Sequence, residues 1–106
     1  GIHGNDTTLF GTESDGRVIA WRRQSGERLW SVDRLKHRGL TAPLALGRSV
    51  VVGDSAGMVH FLSRDDGTLL NRLSTDGSPI VVAPLRVGET LVVVTRNGGV
   101  FGFRPQ

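Results

Sequence analysis

VVGDSAGMVHFL, residues 51–62, is an apolar run, a small-residue turn at Ala56-Gly57 and a second apolar run. The same arrangement stands in FGTESDGRVIAW, residues 10–21, and in VVTRNGGVFGFR, residues 93–104. Gly16, Gly57 and Gly98 recur at one constant interval, and the same interval separates Gly26 from Gly67, Ala42 from Ala83, Pro43 from Pro84, and Leu44 from Leu85. A fixed period of roughly 40 residues marks a stacked-repeat architecture, so the fold turns on which unit repeats. The dipeptides Asp15-Gly16 and Asn97-Gly98 between β-branched or aromatic runs predict β-hairpins with type I′ turns. A second turn at Ser25-Gly26 and Asp66-Gly67 leads into a third strand. The Ala-Pro-Leu elements open a fourth, because proline lacks a donor N–H and suits the first residue of a strand.

Four short antiparallel strands in about 40 residues describe a propeller blade. Val18 and Ala20 point one way and Ile19 and Trp21 the other, as in a sheet sandwiched between sheets. The fold class is therefore all-β, a β-propeller fragment of four-stranded blades. Strands are expected near residues 9–12, 17–21, 28–32, 44–46, 49–53, 58–62, 69–73, 85–87, 90–95 and 99–104. With A the innermost strand of a blade and D the outermost, residues 7–41 read as a partial blade B-C-D. Residues 42–82 read as a complete blade, and 83–106 as a partial blade A-B-C. Propellers close with at least four blades, so the chain reads as a piece of a longer protein. Its end after Phe103 looks natural, its start looks cut, and Gly1 to Asn5 read as linker. Exposed edges at both ends predict that the fragment self-associates.

Composition narrows function by exclusion. Without cysteine there is no disulfide, thiolate nucleophile or zinc-thiolate site, and no apolar run is long enough to span a bilayer. The net charge of +3 comes from 12 arginines and one lysine. The arginines alternate with acidic residues and lack interleaved aromatics, which argues against nucleic acid as a partner. The densest basic run, Arg34, Lys36, His37 and Arg38, falls between strand D of one blade and strand A of the next. It reads as a solvated loop or as a partner-contact loop. His3, His37 and His60 have no metal-ligand spacing, and no Ser/His/Asp grouping is evident; no catalytic, metal or cofactor residue is expected. His60 is expected to be packed between blades and hydrogen-bonded, Asp54 to bond turn backbone, and Asp65-Asp66 to lack the further oxygens calcium needs.

Ala20, Ser25, Gly26 and Trp30 resemble the quinoprotein-type (PQQ-like) repeat, although Arg22 replaces that motif's usual acidic residue. Trp30, at the end of an outer strand, is expected to dock on the neighbouring blade's glycine turn and to give its indole N–H a backbone acceptor. Gly16, Gly57 and Gly98 are the glycines assigned to blade docking. The second copy has Asn71 in place of Trp30, so the dock is lost there, as in the non-catalytic branch of that superfamily. HRGLTAP (residues 37–43), VVGDSAGMVHFL, the spacing to Ala83-Pro84-Leu85 and NGGVFGF (residues 97–103) together resemble the C-terminal blades of the outer-membrane protein assembly factor BamB family.

That resemblance implies an eight-bladed, non-enzymatic scaffold on the periplasmic face of the outer membrane. Its lipid anchor would lie in an N-terminal part not present here. It implies the POTRA domains of BamA and unfolded outer-membrane β-barrel proteins as partners, and no cofactor. The family's main BamA contact uses D-to-A loops of earlier blades; residues 34–41 and 74–82 are loops of the same kind. Two other classes stay open: a quinone-dependent dehydrogenase and a ligand-binding or sensor propeller.

Overall fold

The computed structural model describes residues 7–104 and the backbone of residues 2–4; no helix occurs among them. Eleven strands follow one another: β1 (Ile2–Gly4), β2 (Thr8–Thr12), β3 (Val18–Arg22), β4 (Arg28–Val32), β5 (Leu44–Leu46), β6 (Ser49–Gly53), β7 (Met58–Ser63), β8 (Leu69–Ser74), β9 (Leu85–Val87), β10 (Thr90–Val94) and β11 (Val100–Phe103). They form three antiparallel sheets in the orders β1-β2-β3-β4, β5-β6-β7-β8 and β11-β10-β9. All ten expected strands are present, with ends displaced by at most one residue.

The eleventh strand corrects the expected B-C-D start. Ile2, His3 and Gly4 pair with Gly11, Phe10 and Leu9, giving the first sheet its strand A. The register places Gly-Ile-His where the later copies have Ala-Pro-Leu, so the proline signature that marks strand A is missing from the first copy. Of the expected linker residues, Gly1 and Asn5 lie outside the described residues.

The B-to-C turns also differ from expectation. In each copy the residue three before the turn glycine closes the turn twice. Gly57 N–H donates to the Asp54 carbonyl and Asp54 N–H to the Met58 carbonyl, with the same pairs at Glu13, Gly16 and Arg17 and at Thr95, Gly98 and Gly99. Positive φ is confined to the glycine of each turn, not to Asp15, Ala56 or Asn97. This is a longer turn ending in a left-handed glycine rather than a two-residue type I′ turn. In the second copy Ala56 suits this turn, since a Cβ-bearing residue is strained at positive φ and the longer turn asks this only of glycine.

Alternation of side chains along the middle sheet glues the stack together. Val50, Val52 and Leu62 pack against Phe10, Val18, Ala20, Trp30 and Leu35 of the first sheet and its loop. Val51, Val59, Leu44 and Leu46 pack the other way, against Ile80, Leu91 and Val93. Three consecutive valines, Val50 to Val52, are thus fully buried although they point to opposite faces. At one end of the stack lie the B-to-C turns and the D-to-A loops; the A-to-B and C-to-D turns lie at the other.

Candidate functional site

The basic run occupies the first D-to-A loop, residues 33–43. Arg34 and His37 are exposed, while Lys36 and Arg38 are half-buried. Leu35, in their midst, is fully buried in the core between the first two sheets and pins the loop down. His37 carries the chain through φ 64, and its backbone N–H donates to the Asp15 carbonyl. The carbonyl of Arg38 accepts both the N–H (2.9 Å) and the Oγ–H (2.7 Å) of Ser55. Thr41 then closes the loop by giving its N–H to the Gly53 carbonyl while its Oγ accepts the Gly53 N–H.

Beneath the loop lies a buried polar assembly. Asp54 Oδ1 accepts the N–H groups of Ala56 and Met58, each at 2.9 Å. Its Oδ2 lies 2.7 Å from His60 Nε2 and 3.7 Å from an Arg38 guanidinium nitrogen. His60 Nδ1 in turn accepts the Nε–H of Arg72 at 3.0 Å. Asp54 and His60 are both completely enclosed. Burial pushes the His60 imidazole below its ordinary pKa, and the adjacent Asp54 carboxylate opposes that shift without cancelling it. On the sequence alone Asp54 is expected on turn backbone and His60 packed and hydrogen-bonded, but neither is joined to the other or to Arg38 and Arg72. Arg72 faces His60 across β7 and β8 only through the pairing register, which shifts by a bulge between Phe61 and Leu62 just before the second turn.

At the other end of the stack, Trp30 spans the same two sheets. Its ring is 9% exposed and its Nε1–H donates to the Arg64 carbonyl at 2.7 Å. A Cβ on Gly67 would come within 2.7 Å of the indole, so the close approach requires glycine there. Trp30 sits at the centre of β4 rather than its end, and the glycine it meets belongs to the C-to-D turn of the next sheet. Gly16 and Gly57 instead lie beneath the D-to-A loop of their own sheet, a Cβ meeting the Leu35 carbonyl oxygen at 2.6 Å and the Ser78 carbonyl oxygen at 2.8 Å. Gly98 is open to solvent. The reason is topological: an outermost strand neighbours C-to-D turns, whereas B-to-C turns point to the opposite end.

The second junction carries different chemistry. Asp76, in the second D-to-A loop, accepts from Ser78 through Oδ1 and from Thr95 Oγ–H through Oδ2 at 2.8 Å. Those bonds, Ser78 first, hold the Asp76 carboxyl below its ordinary pKa. Asp66, at the C-to-D turn, is likewise lowered by Thr68. Among the described residues no three of His, Asp and Glu gather as metal ligands.

The fold has close counterparts among known proteins. The family model described as outer membrane protein assembly factor BamB matches residues 1–106. The BamB of Burkholderia pseudomallei is 50% identical over 106 residues, all of this chain and 28% of the relative. That of Bordetella pertussis is 44% identical over 94 residues, covering 89% of this chain and 24% of the relative. The chain therefore spans about a quarter of the length of these curated relatives. The crystal structure of BamB from Moraxella catarrhalis superposes with a TM-score of 0.89 at 31% identity, over 97% of this chain and 30% of that one. The computationally designed Ika4 protein shares the fold alone, with a TM-score of 0.81 at 21% identity over 97% of this chain and 63% of its own. With a family model matched over residues 1–106 and a relative 50% identical across all 106 residues of this chain, the chain belongs to the outer membrane protein assembly factor BamB family.

Proposed function

We propose that this chain forms part of a non-enzymatic propeller scaffold for outer-membrane protein assembly, at the periplasmic face of the outer membrane. The observation that carries this reading is the family match over residues 1–106. The buried polar chemistry supports it: Asp54 bonds the backbone of its own turn and His60, and His60 bonds Arg72, all within the second sheet, so these groups are engaged in holding the fold rather than held ready for a substrate. The D-to-A loop offers the contact surface. Arg34 and His37 project outward, Lys36 lies partly exposed beside them, and the partner assigned to them is the set of POTRA domains of BamA. Rim charges of this kind set encounter rate and salt dependence more than final affinity.

Surface plasmon resonance of the complete protein on immobilised POTRA domains tests the reading, with saturable, salt-sensitive binding as the expected result. A parallel titration with pyrroloquinoline quinone and calcium addresses the enzyme class. Saturable quinone binding accompanied by alcohol or sugar oxidation would overturn the scaffold role.

A further inference from the structure

We propose that Asp54, His60 and Arg72, with Arg38 reaching in from the 33–43 loop, form a proton-sensitive clasp that fastens this loop onto the second sheet and loosens when His60 takes up a proton. The clasp stands whether or not the loop meets a partner. Its argument begins with a donor count. The Nε–H of an arginine cannot be surrendered at any physiological pH, so His60 Nδ1, 3.0 Å away, is the acceptor. The single imidazole proton therefore sits on Nε2 and is donated to Asp54 Oδ2. Geometry alone fixes His60 as neutral and in one tautomer.

A second proton has only Nδ1 to occupy, where it would confront the Arg72 Nε–H donor to donor. It would also add positive charge to a cluster that already sets two guanidiniums against one carboxylate, around two residues that are fully enclosed. The charged groups facing His60 are Asp54 from the β6–β7 turn, Arg72 from β8 and Arg38 from the loop. Directly opposite on β6 stands Val52, and the first sheet presents the apolar Phe10, Val18 and Ala20 to this face. Asp54 keeps the imidazolium as its partner, so a guanidinium must yield. Arg72, which is exposed, turns its Nε–H away from Nδ1, and the added positive charge weakens the long second attachment, that of the 40% exposed Arg38 side chain 3.7 Å from Asp54. Its release frees the backbone segment whose carbonyl holds Ser55.

The direction of the effect follows from linkage. A histidine whose folded pKa lies below its unfolded value stabilises the fold fully above about pH 6.5, and that contribution is lost as pH falls through the folded value. The clasp is thus closed at neutral pH and opens in mild acid.

Nuclear magnetic resonance of the full chain labelled with 15N-histidine reads the tautomer directly, and hydrogen exchange of the Ser55 amide reads the loop. The expected result is a neutral Nε2–H imidazole at about pH 7 and a loss of about tenfold in Ser55 protection, corrected for intrinsic chemistry, on going to about pH 5. His60→Gln supplies a donor for Asp54 and an acceptor for Arg72 without a titrating group, so it should keep the protection and abolish its pH dependence. A Nδ1–H tautomer, pH-independent protection in the unsubstituted chain, or an undiminished pH response in His60→Gln would each overturn the proposal. The last of these would assign the response to exposed His37 or to a carboxylate. If His60→Gln does not fold, the tautomer and exchange of the unsubstituted chain decide on their own.

Discussion

The first junction between sheets is filled and the second is partly open, although both are built by the same sequence repeat. Trp30 seats its indole between the first and second sheets. Asn71 occupies the equivalent position one repeat later, and there a cleft of about 280 Å³ remains, lined by Phe61, Leu70, Asn71, Leu73, Leu91 and Phe103 among others. Each of these stands one repeat on from a residue at or around the Trp30 seat: Ala20, Leu29, Trp30, Val32, Val50 and Leu62. Phe61 in place of Ala20 and Phe103 in place of Leu62 restore only part of the lost volume. A repeat fixes where sheets stack; the individual residues decide how tightly each pair is held.

The largest expected effect tests that difference directly. Trp30→Ala should cost about 3 to 5 kcal/mol in urea unfolding, because it removes a nearly buried ring and a hydrogen bond to Arg64. Asn71→Ala should fall within about 0.5 kcal/mol of the parent, since the residue is exposed and its side chain accepts the next residue's backbone N–H, a local bond. Equal losses at the two positions would remove the distinction between the junctions.

The opposite end of the stack sharpens the contrast. Asp54 and Thr95 are register equivalents, and each accepts a backbone N–H four residues on, from Met58 and Gly99 respectively. Asp54 also holds His60 and Arg38, whereas Thr95 donates to the exposed Asp76. Asp54→Ala should cost about 3 kcal/mol, since it strips a buried network of its charge, and Thr95→Val about 1 kcal/mol. Their pH windows separate as well. The first junction weakens as pH falls below about 6.5, and the Asp76 contribution persists above about pH 3.8 and is lost only as pH falls through its lower folded value. Thermal unfolding followed across this range should show the two windows in that order.

Glycine substitutions follow at smaller size. Gly67→Ala combines a left-handed φ of 78° with a collision against Trp30, and should cost about 2 to 3 kcal/mol. Gly98→Ala meets nothing within 4 Å and carries only the strain of φ 89°, worth about 1 kcal/mol. Combining Gly67→Ala with Trp30→Ala should recover part of the first loss, because the collision partner is gone.

What the sequence made legible was local. Glycine turns and alternating apolar residues announce ten of the strands, because turn chemistry and side-chain period act within a few residues. Strand β1 escaped because Gly-Ile-His carries neither the proline nor the apolar pair that marks strand A in the later copies. The meeting of Trp30 with Gly67 rather than with Gly57 depends on which turns an outer strand neighbours in the stacked structure. The Asp54–His60–Arg72 assembly depends on register across two hairpins, one of them bulged. Asp54 and His60 flanking one hairpin turn was the available signal; nothing local pointed to Arg72 or Arg38.

The same inward tie reshapes the test of the candidate contact loop. Arg38 is committed to Asp54, so reversing its charge would disturb the junction and any partner at once. Arg34 is exposed and Lys36 half-buried, and neither makes an ion pair among the described residues. Replacing both by glutamate should leave urea unfolding within about 0.5 kcal/mol of the parent. On POTRA domains of BamA it should weaken binding by about 1 kcal/mol at low salt, mostly through slower association, with the difference shrinking as salt is raised. Reversal at Arg38 alone should instead lower stability and quicken Ser55 exchange whether or not the partner is present. If Arg34→Glu with Lys36→Glu leaves the association rate unchanged at both ionic strengths, the loop is a solvated connection and its basic residues serve the junction only through Arg38.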